Sequence, residues 1–137
     1  MQIAILSFFH YFTLMFKKRE SVFEVEEGKF LSPKFDKDGL IPVTTSDSGS
    51  GELLMHGYMN EEALKKTINT NNMYYFSRSR QKLWQKGETS GHFQKLFELR
   101  LDCDNDTMLA LIEQTGPACH TGAASCFFKS TNNINDD

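Results

Sequence analysis

Three cysteines, three aspartates and a histidine in the second half of the chain are of the types that bind metal ions. Asp102, Asp104 and Asp106 recur at every second position, with Cys103 between the first two. Cys119 and His120 are adjacent, and Cys126 completes the cysteine content. Soft sulfur suits zinc, whereas hard carboxylate oxygens suit magnesium or calcium. From residue 92 onward the sequence alternates. Phe93, Lys95, Phe97, Leu99, Leu101 and Cys103 form a mostly apolar set; His92, Gln94, Leu96, Glu98, Arg100, Asp102 and Asp104 form a mostly polar one. A period of two predicts a β-strand with one buried face. Cys103 then points inward, and Asp102, Asp104 and, if the strand runs on, Asp106 point outward. Thiolate and carboxylates on opposite faces cannot easily share an ion, so two different metal sites are expected.

Each group also has a plainer reading. A free cysteine is often a core residue. Cys119 and Cys126, however, bracket a loop containing Gly122, and three thiolates leave a fourth tetrahedral position open, as in catalytic zinc sites. His120 could fill that position and make the site structural. It could instead act as general acid or base beside it. Adjacent residues on an extended segment point apart, which favours the second role. The aspartates could be a solvated turn, although a cation would relieve their mutual repulsion. With Glu113 they also match places 1, 3, 5 and 12 of a calcium loop, but Thr107 stands where that loop needs glycine.

Other elements must position these groups. Residues 40–45 read as a strand whose Pro42 favours an edge or a strand end. Residues 46–51 are a hairpin turn by composition, and residues 53–59 a second strand. Asn60 is a good N-cap for a helix ending near Thr70, with Glu61–Lys65 and Glu62–Lys66 in the favourable i,i+4 order. Residues 73–77 are β by residue type. Arg78 and Arg80 follow at alternate spacing on one face, as solvated arginines or as a phosphate clamp. Residues 83–92 form a polar loop with two glycines, and residues 107–114 another strand.

The chain has 137 residues and a net charge of -3, which fits one soluble domain without a basic footprint for nucleic acid. An odd cysteine count argues against a disulfide scaffold and for a reducing cytoplasmic compartment. Residues 3–16 are almost wholly apolar but shorter than a membrane span, with His10 among them and no charge pattern of a secretory signal. They read as an added packing helix, as an extension upstream of a true start at Met15, or as a membrane anchor; membrane contact is not the expectation.

Several long motifs carry a resemblance. Met-Asn-Glu-Glu-Ala-Leu from Met59, Tyr-Phe-Ser-Arg-Ser-Arg from Tyr75, Leu-Trp-Gln-Lys-Gly-Glu-Thr-Ser-Gly-His from Leu83, Arg-Leu-Asp-Cys-Asp from Arg100, Gly-Pro-Ala-Cys-His-Thr-Gly from Gly116 and Ser-Cys-Phe-Phe from Ser125 appear in order. Together they resemble the phosphoribosyl-AMP cyclohydrolases of histidine biosynthesis, over roughly residues 30–128.

The resemblance implies hydrolysis of the adenine N1–C6 bond of phosphoribosyl-AMP to a formimino-aminoimidazole carboxamide ribotide by water activated on zinc. It implies zinc on Cys103, Cys119 and Cys126, with Cys103 from one subunit of a homodimer and the other two from its partner. Magnesium falls to Asp102, Asp104 and Asp106, proton transfer to His120, and substrate binding to Arg78, Arg80, Trp84, Lys86, Glu88, Ser90 and His92. The expected architecture is α+β: a mainly antiparallel, barrel-like sheet with one central helix over about residues 60–70, in an obligate homodimer. The domain is expected over residues 21–129, between an apolar extension (1–20) and a polar tail (130–137). A separate pyrophosphohydrolase acting on phosphoribosyl-ATP is expected to supply the substrate. His56 stands where the family usually has an apolar residue, and the apolar start has no counterpart. The competing class is a non-enzymatic, zinc-stabilised dimeric interaction module, which leaves the motifs at residues 78–92 unexplained.

Overall fold

The computed structural model describes residues 31–134. The expected apolar extension, the first part of the domain (21–30) and the last tail residues (135–137) lie outside the described residues. The elements are β1 (Ile41–Asp47), β2 (Leu53–Met59), α1 (Glu61–Thr70), β3 (Tyr74–Ser77), β4 (Lys82–Gln85), β5 (Gln94–Leu101), β6 (Met108–Gln114) and a 3-10 turn at Thr131–Asn133.

β1 to β6 make two sheets, one of four strands in the order β2-β1-β6-β5 and one of two, β3-β4. All ladders are antiparallel except β1–β6, which is parallel. The α+β class holds. The barrel does not: among the described residues the sheets stay open, β2 and β5 being the edges of the larger one. Pro42 lies at the start of a central strand, one residue before the β6 ladder begins at Val43. Its missing N–H therefore breaks no bond to β6.

The β1–β2 turn is built by Asp47. Its Oδ2 accepts from the backbone N–H of Gly49 (3.0 Å) and Ser50 (2.8 Å) and from Ser50 Oγ (3.0 Å). The Ser50 bonds hold the Asp47 carboxyl below its usual range. A depressed folded-state pKa contributes stability above the unfolded value, and that contribution disappears as pH falls through the folded one. Asp47→Asn should therefore lower the thermal midpoint at neutral pH, and the variant and parent curves should converge in acid; a gap persisting at low pH would count against this.

α1 starts where Asn60 Oδ1 accepts from Ala63 N (2.8 Å) and stops at Asn71 (φ 57°), whose N–H bonds Thr67 O. Lys65 pairs with Glu61 at 2.9 Å and Lys66 with Glu62 at 3.9 Å, both exposed and each worth only a few tenths of a kcal/mol. Thr67, fully buried, ties the helix to β3: its hydroxyl donates to Ala63 O and accepts from Tyr74 N at 3.0 Å.

The core lies between the four-stranded sheet, α1 and β3, with Ile41, Val43, Met59, Leu64, Met73, Tyr75, Met108 and Ile112 inside. Tyr75 is its largest fully buried side chain. A β-carbon on Gly57 would come within 2.8 Å of the Tyr75 ring, so β2 can approach β3 only through glycine.

β5 departs from the expected phase. Its inward residues are Gln94, Leu96, Leu99 and Leu101, whereas Phe97 is 78% exposed and Phe93 41%. The β5–β6 register shifts between Leu96 and Glu98, a bulge that turns Phe97 out and flips the alternation. The strand ends at Leu101, so residues 102–106 form a turn and not two faces of a strand.

Candidate functional site

That turn has a local cause. Asp102 Oδ1 accepts from the backbone N–H of Asp106 (3.1 Å) and Thr107 (3.2 Å), and Asn105 adopts φ 64°. The carboxylates of Asp102, Asp104 and Asp106 thereby converge, with one oxygen of each within 4.8 Å of the others. Hydrogen bonding to Asp106, then to Asp102, holds Asp104 above its usual pKa, while the bond from Asp104 holds Asp106 below. The trio is thus a set of converging hard oxygens of the kind that can hold a cation. The three carboxylates grouped by the sequence do come together, on a turn and not on one face of a strand. The expected inward thiol does not oppose them: Cys103 lies on the same turn and is exposed.

The second cluster is the loop that follows β6. Cys119 N donates to Ala123 O and Gly122 N to Cys119 O, closing it tightly. Ser125 Oγ donates to Leu53 O (2.7 Å) and Cys126 N to Leu54 O (2.7 Å), pinning its far end to β2. The Cys119 and Cys126 thiols lie close enough for each to influence the other's acidity. Thr121 Oγ1 donates to Cys119 Sγ at 3.0 Å, and this contact first, with the Thr121 N–H, Cys126 and the charge of Lys86, lowers the Cys119 pKa. Burial, then the charge of Cys119, raises that of Cys126. The arrangement makes Cys119 the more acidic thiol of the two. His120 is exposed while Cys119 is buried, and the pair sits on a bend and turn, not on the extended segment expected.

Residues 86–92 fold against this loop. Lys86 Nζ donates to Ala118 O at 2.6 Å. The His92 ring lies over Gly116 (φ 69°), where a β-carbon would meet its Cδ2 at 2.7 Å. Ser90 Oγ accepts from His92 N (3.1 Å), and Glu88 Oε2 from Gln85 N (3.4 Å). The structure thus brings Lys86 and His92 to the Cys119 loop, with Ser90 and Glu88 shaping the turn. Trp84 is on β4, not in the loop, and stacks on Tyr75 with ring centroids 5.2 Å apart.

Arg78 and Arg80 sit in the β3–β4 turn and not along an extended face. The Arg78 guanidinium lies 4.0 Å from the centroid of Tyr58, a cation–π contact that holds it outside the β2–β3 seam. Arg80 bonds Ser77 Oγ through its backbone N (3.2 Å) and Nε (3.4 Å). His56 stands edge-on to Tyr58 with centroids 5.3 Å apart.

Sequence reasoning missed Thr121, Tyr58 and the buried Gln94. Thr121 follows the Cys-His pair directly, and Tyr58 alternates with His56 on β2; both signals were present in the spacing. Among the described residues only the three aspartates bring three metal-capable groups together, so the three thiols do not meet within one chain.

The sequence profile of the family named phosphoribosyl-AMP cyclohydrolase matches residues 55–128. Among curated relatives of that name, one from Rhodopseudomonas palustris (strain BisB5) is 52% identical over 106 residues, covering 77% of this chain and 72% of the relative. One from Acidiphilium cryptum is 56% identical over 96 residues, covering 70% of this chain and 83% of the relative. One from Bradyrhizobium diazoefficiens is 51% identical over 106 residues, covering 77% and 76%.

Proposed function

The chain belongs to the phosphoribosyl-AMP cyclohydrolase family, and from that membership we propose that it hydrolyses the N1–C6 bond of the adenine in 1-(5-phosphoribosyl)-AMP, in histidine biosynthesis, with zinc and magnesium. The observation that carries the reading is the Cys119–Cys126 thiol pair, anchored on β2 and held beside Lys86. Two neighbouring cysteine sulfurs are donors that fit zinc, and Cys103 of a second copy would complete the set. The three carboxylates, whose oxygens converge on one turn, are donors that fit magnesium.

Zinc, when bound, supplies the Lewis acidity that makes a water reactive near neutral pH. The overall reaction adds one water across the C6–N1 bond: oxygen goes to C6, the C6–N1 bond breaks, and N1 leaves with a proton. His120, exposed beside Cys119, moves that proton as general acid and base. Arg78 and Arg80, on the β3–β4 turn, and Lys86 supply counter-charge for the phosphates. Trp84, Glu88, Ser90 and His92 complete the proposed substrate side. No helix among the described residues is long and apolar enough to cross a membrane. The cytoplasmic placement of the reaction rests on the family's biosynthetic role.

The test is ultraviolet absorbance of the base on incubation with phosphoribosyl-AMP, zinc and magnesium, with and without a chelator. A chelator-sensitive change is expected; none, with zinc bound, would overturn the proposal. Sharing between subunits makes its own prediction. Cys103→Ser and Cys119→Ser proteins, each inactive, should regain about a quarter of parental activity when mixed and allowed to exchange subunits. Half the dimers would be mixed, and half the sites in each would be intact. No regain despite mass-spectrometric proof of mixed dimers would exclude a shared site.

A further inference from the structure

Gln94 is a fully buried amide on β5, with Gln114 opposite it on β6. Among the described residues no buried side-chain nitrogen or oxygen lacks a hydrogen-bond partner, so the direction of every bond in their network can be worked out. Gln114 Nε2 donates to two backbone carbonyls, His92 O (3.2 Å) and Thr115 O (3.0 Å). Carbonyls only accept, so this nitrogen must face them, and Gln114 Oε1 is left to accept from Gln94 Nε2 at 2.8 Å. Gln94 Nε2 also reaches Met55 Sδ at 3.3 Å. Gln94 Oε1 must then accept the Tyr75 hydroxyl proton at 2.7 Å. Tyr75 has no second proton, so Thr45 Oγ1 donates to it, also at 2.7 Å. Neither amide can flip without setting two donors or two acceptors against each other.

The line runs from the core to the two segments that form the site. His92 ends the loop that carries Lys86, Glu88 and Ser90. Thr115 leads through Gly116 into the Cys119 loop, and its own N–H bonds Phe93 O at 3.0 Å. His92 and Gly116 are in turn in close approach. One side-chain amide, Gln114, therefore holds both segments at their shared root.

We infer that Gln94 and Gln114 are positioning residues for the reaction: their one-way hydrogen-bond line from Thr45 fixes the His92 and Thr115 carbonyls, and so the substrate loop relative to the cysteine loop. The inference rests on the proposed function for its catalytic consequence. Its structural part stands without it. Outer contacts of this kind, when removed around metal sites, lower affinity or activity about 10- to 100-fold.

The test is Gln114→Met, which keeps the side chain's length and removes its donors. Three readouts are taken alongside the parent: amide exchange by NMR, the rate of zinc release to a chelator, and kcat per zinc-loaded protein well below the unfolding midpoint. The expected result is exchange at Thr115, Ala118 and Cys119 that is about tenfold faster with the β1–β2 amides unchanged, faster zinc release, and a kcat lowered about 10- to 100-fold. A general loss of stability would speed exchange in β1–β2 as well and leave kcat of the folded enzyme alone; that outcome overturns the proposal, as does parental behaviour in all three. Should Gln114→Met not fold, Gln114→Asn, an amide too short to span both carbonyls, is read in the same way. A parent that binds zinc but leaves phosphoribosyl-AMP intact would instead count against the proposed function, and the exchange and zinc-release readouts would still decide the positioning role.

Discussion

Cys119→Ser should abolish turnover and zinc uptake together, because water without the metal keeps a pKa of about 15.7 in place of about 7. A serine hydroxyl cannot be held as an anion near neutral pH by Thr121 and Lys86, whereas the Cys119 thiol is already lowered by them. The fold should survive. Cys119 donates its N–H to Ala123 O through the backbone, and serine keeps that bond. Zinc content by atomic absorption, the ultraviolet assay and circular dichroism should therefore give no metal, no ring opening and a parental spectrum. A zinc-loaded, active Cys119→Ser protein would remove Cys119 from the site.

Tyr75→Ala should be the most damaging single change to stability, at about 3–5 kcal/mol for loss of a large buried ring and the cavity it leaves. Tyr75 is 1% exposed, lies under Gly57, stacks on Trp84 and bonds both Thr45 and Gln94. Against a typical domain margin of about 5–15 kcal/mol, that loss leaves little. Tyr75→Phe separates the two contributions. It keeps the ring and strands the Gln94 acceptor, for about 1–3 kcal/mol. Urea midpoints of the three proteins measure both. A Tyr75→Ala loss no larger than that of Tyr75→Phe would mean that the ring packs poorly and the hydroxyl dominates.

Local signals read well from the sequence where one residue type decides the outcome. Asn60 and Asn71 bound α1 where the capping pattern places them, because cap chemistry needs only the neighbouring backbone. β2 runs over the predicted residues for a similar reason: it is bounded by a turn on one side and a cap on the other. β5 was misread because alternation was carried through a bulge. The signs were there, since Lys95 sat in the apolar set and Leu96 in the polar one, the mark of a phase change at Phe97. Gln94 faces inward because partners from β2, β3 and β6 await it, and such long-range pairing leaves no trace in spacing. The two arginines failed as a strand pair because the chain turns at Arg78. The aspartates were legible as a cluster by type, though not by mechanism: a turn closed by Asp102 gathers them, and it carries Cys103 out to the surface.

The place of β1 has a consequence for the order in which the chain folds. β1 is the second strand of its sheet, paired in parallel to β6, and β2, α1, β3, β4 and β5 all intervene in sequence. Until Met108–Gln114 has left the ribosome, one side of β1 has no partner, and the apolar Ile41 and Val43 wait on a half-made sheet. Pairings of such long sequence separation form slowly, because the loop entropy is lost before the contacts are gained. The segment bearing Cys119 and Cys126 comes later still and closes on β2. The end of the molecule proposed to carry the reaction is therefore also the last to assemble, and the nascent hairpin passes through a stage with an open edge, when a chaperone or a second chain competes with β6 for it.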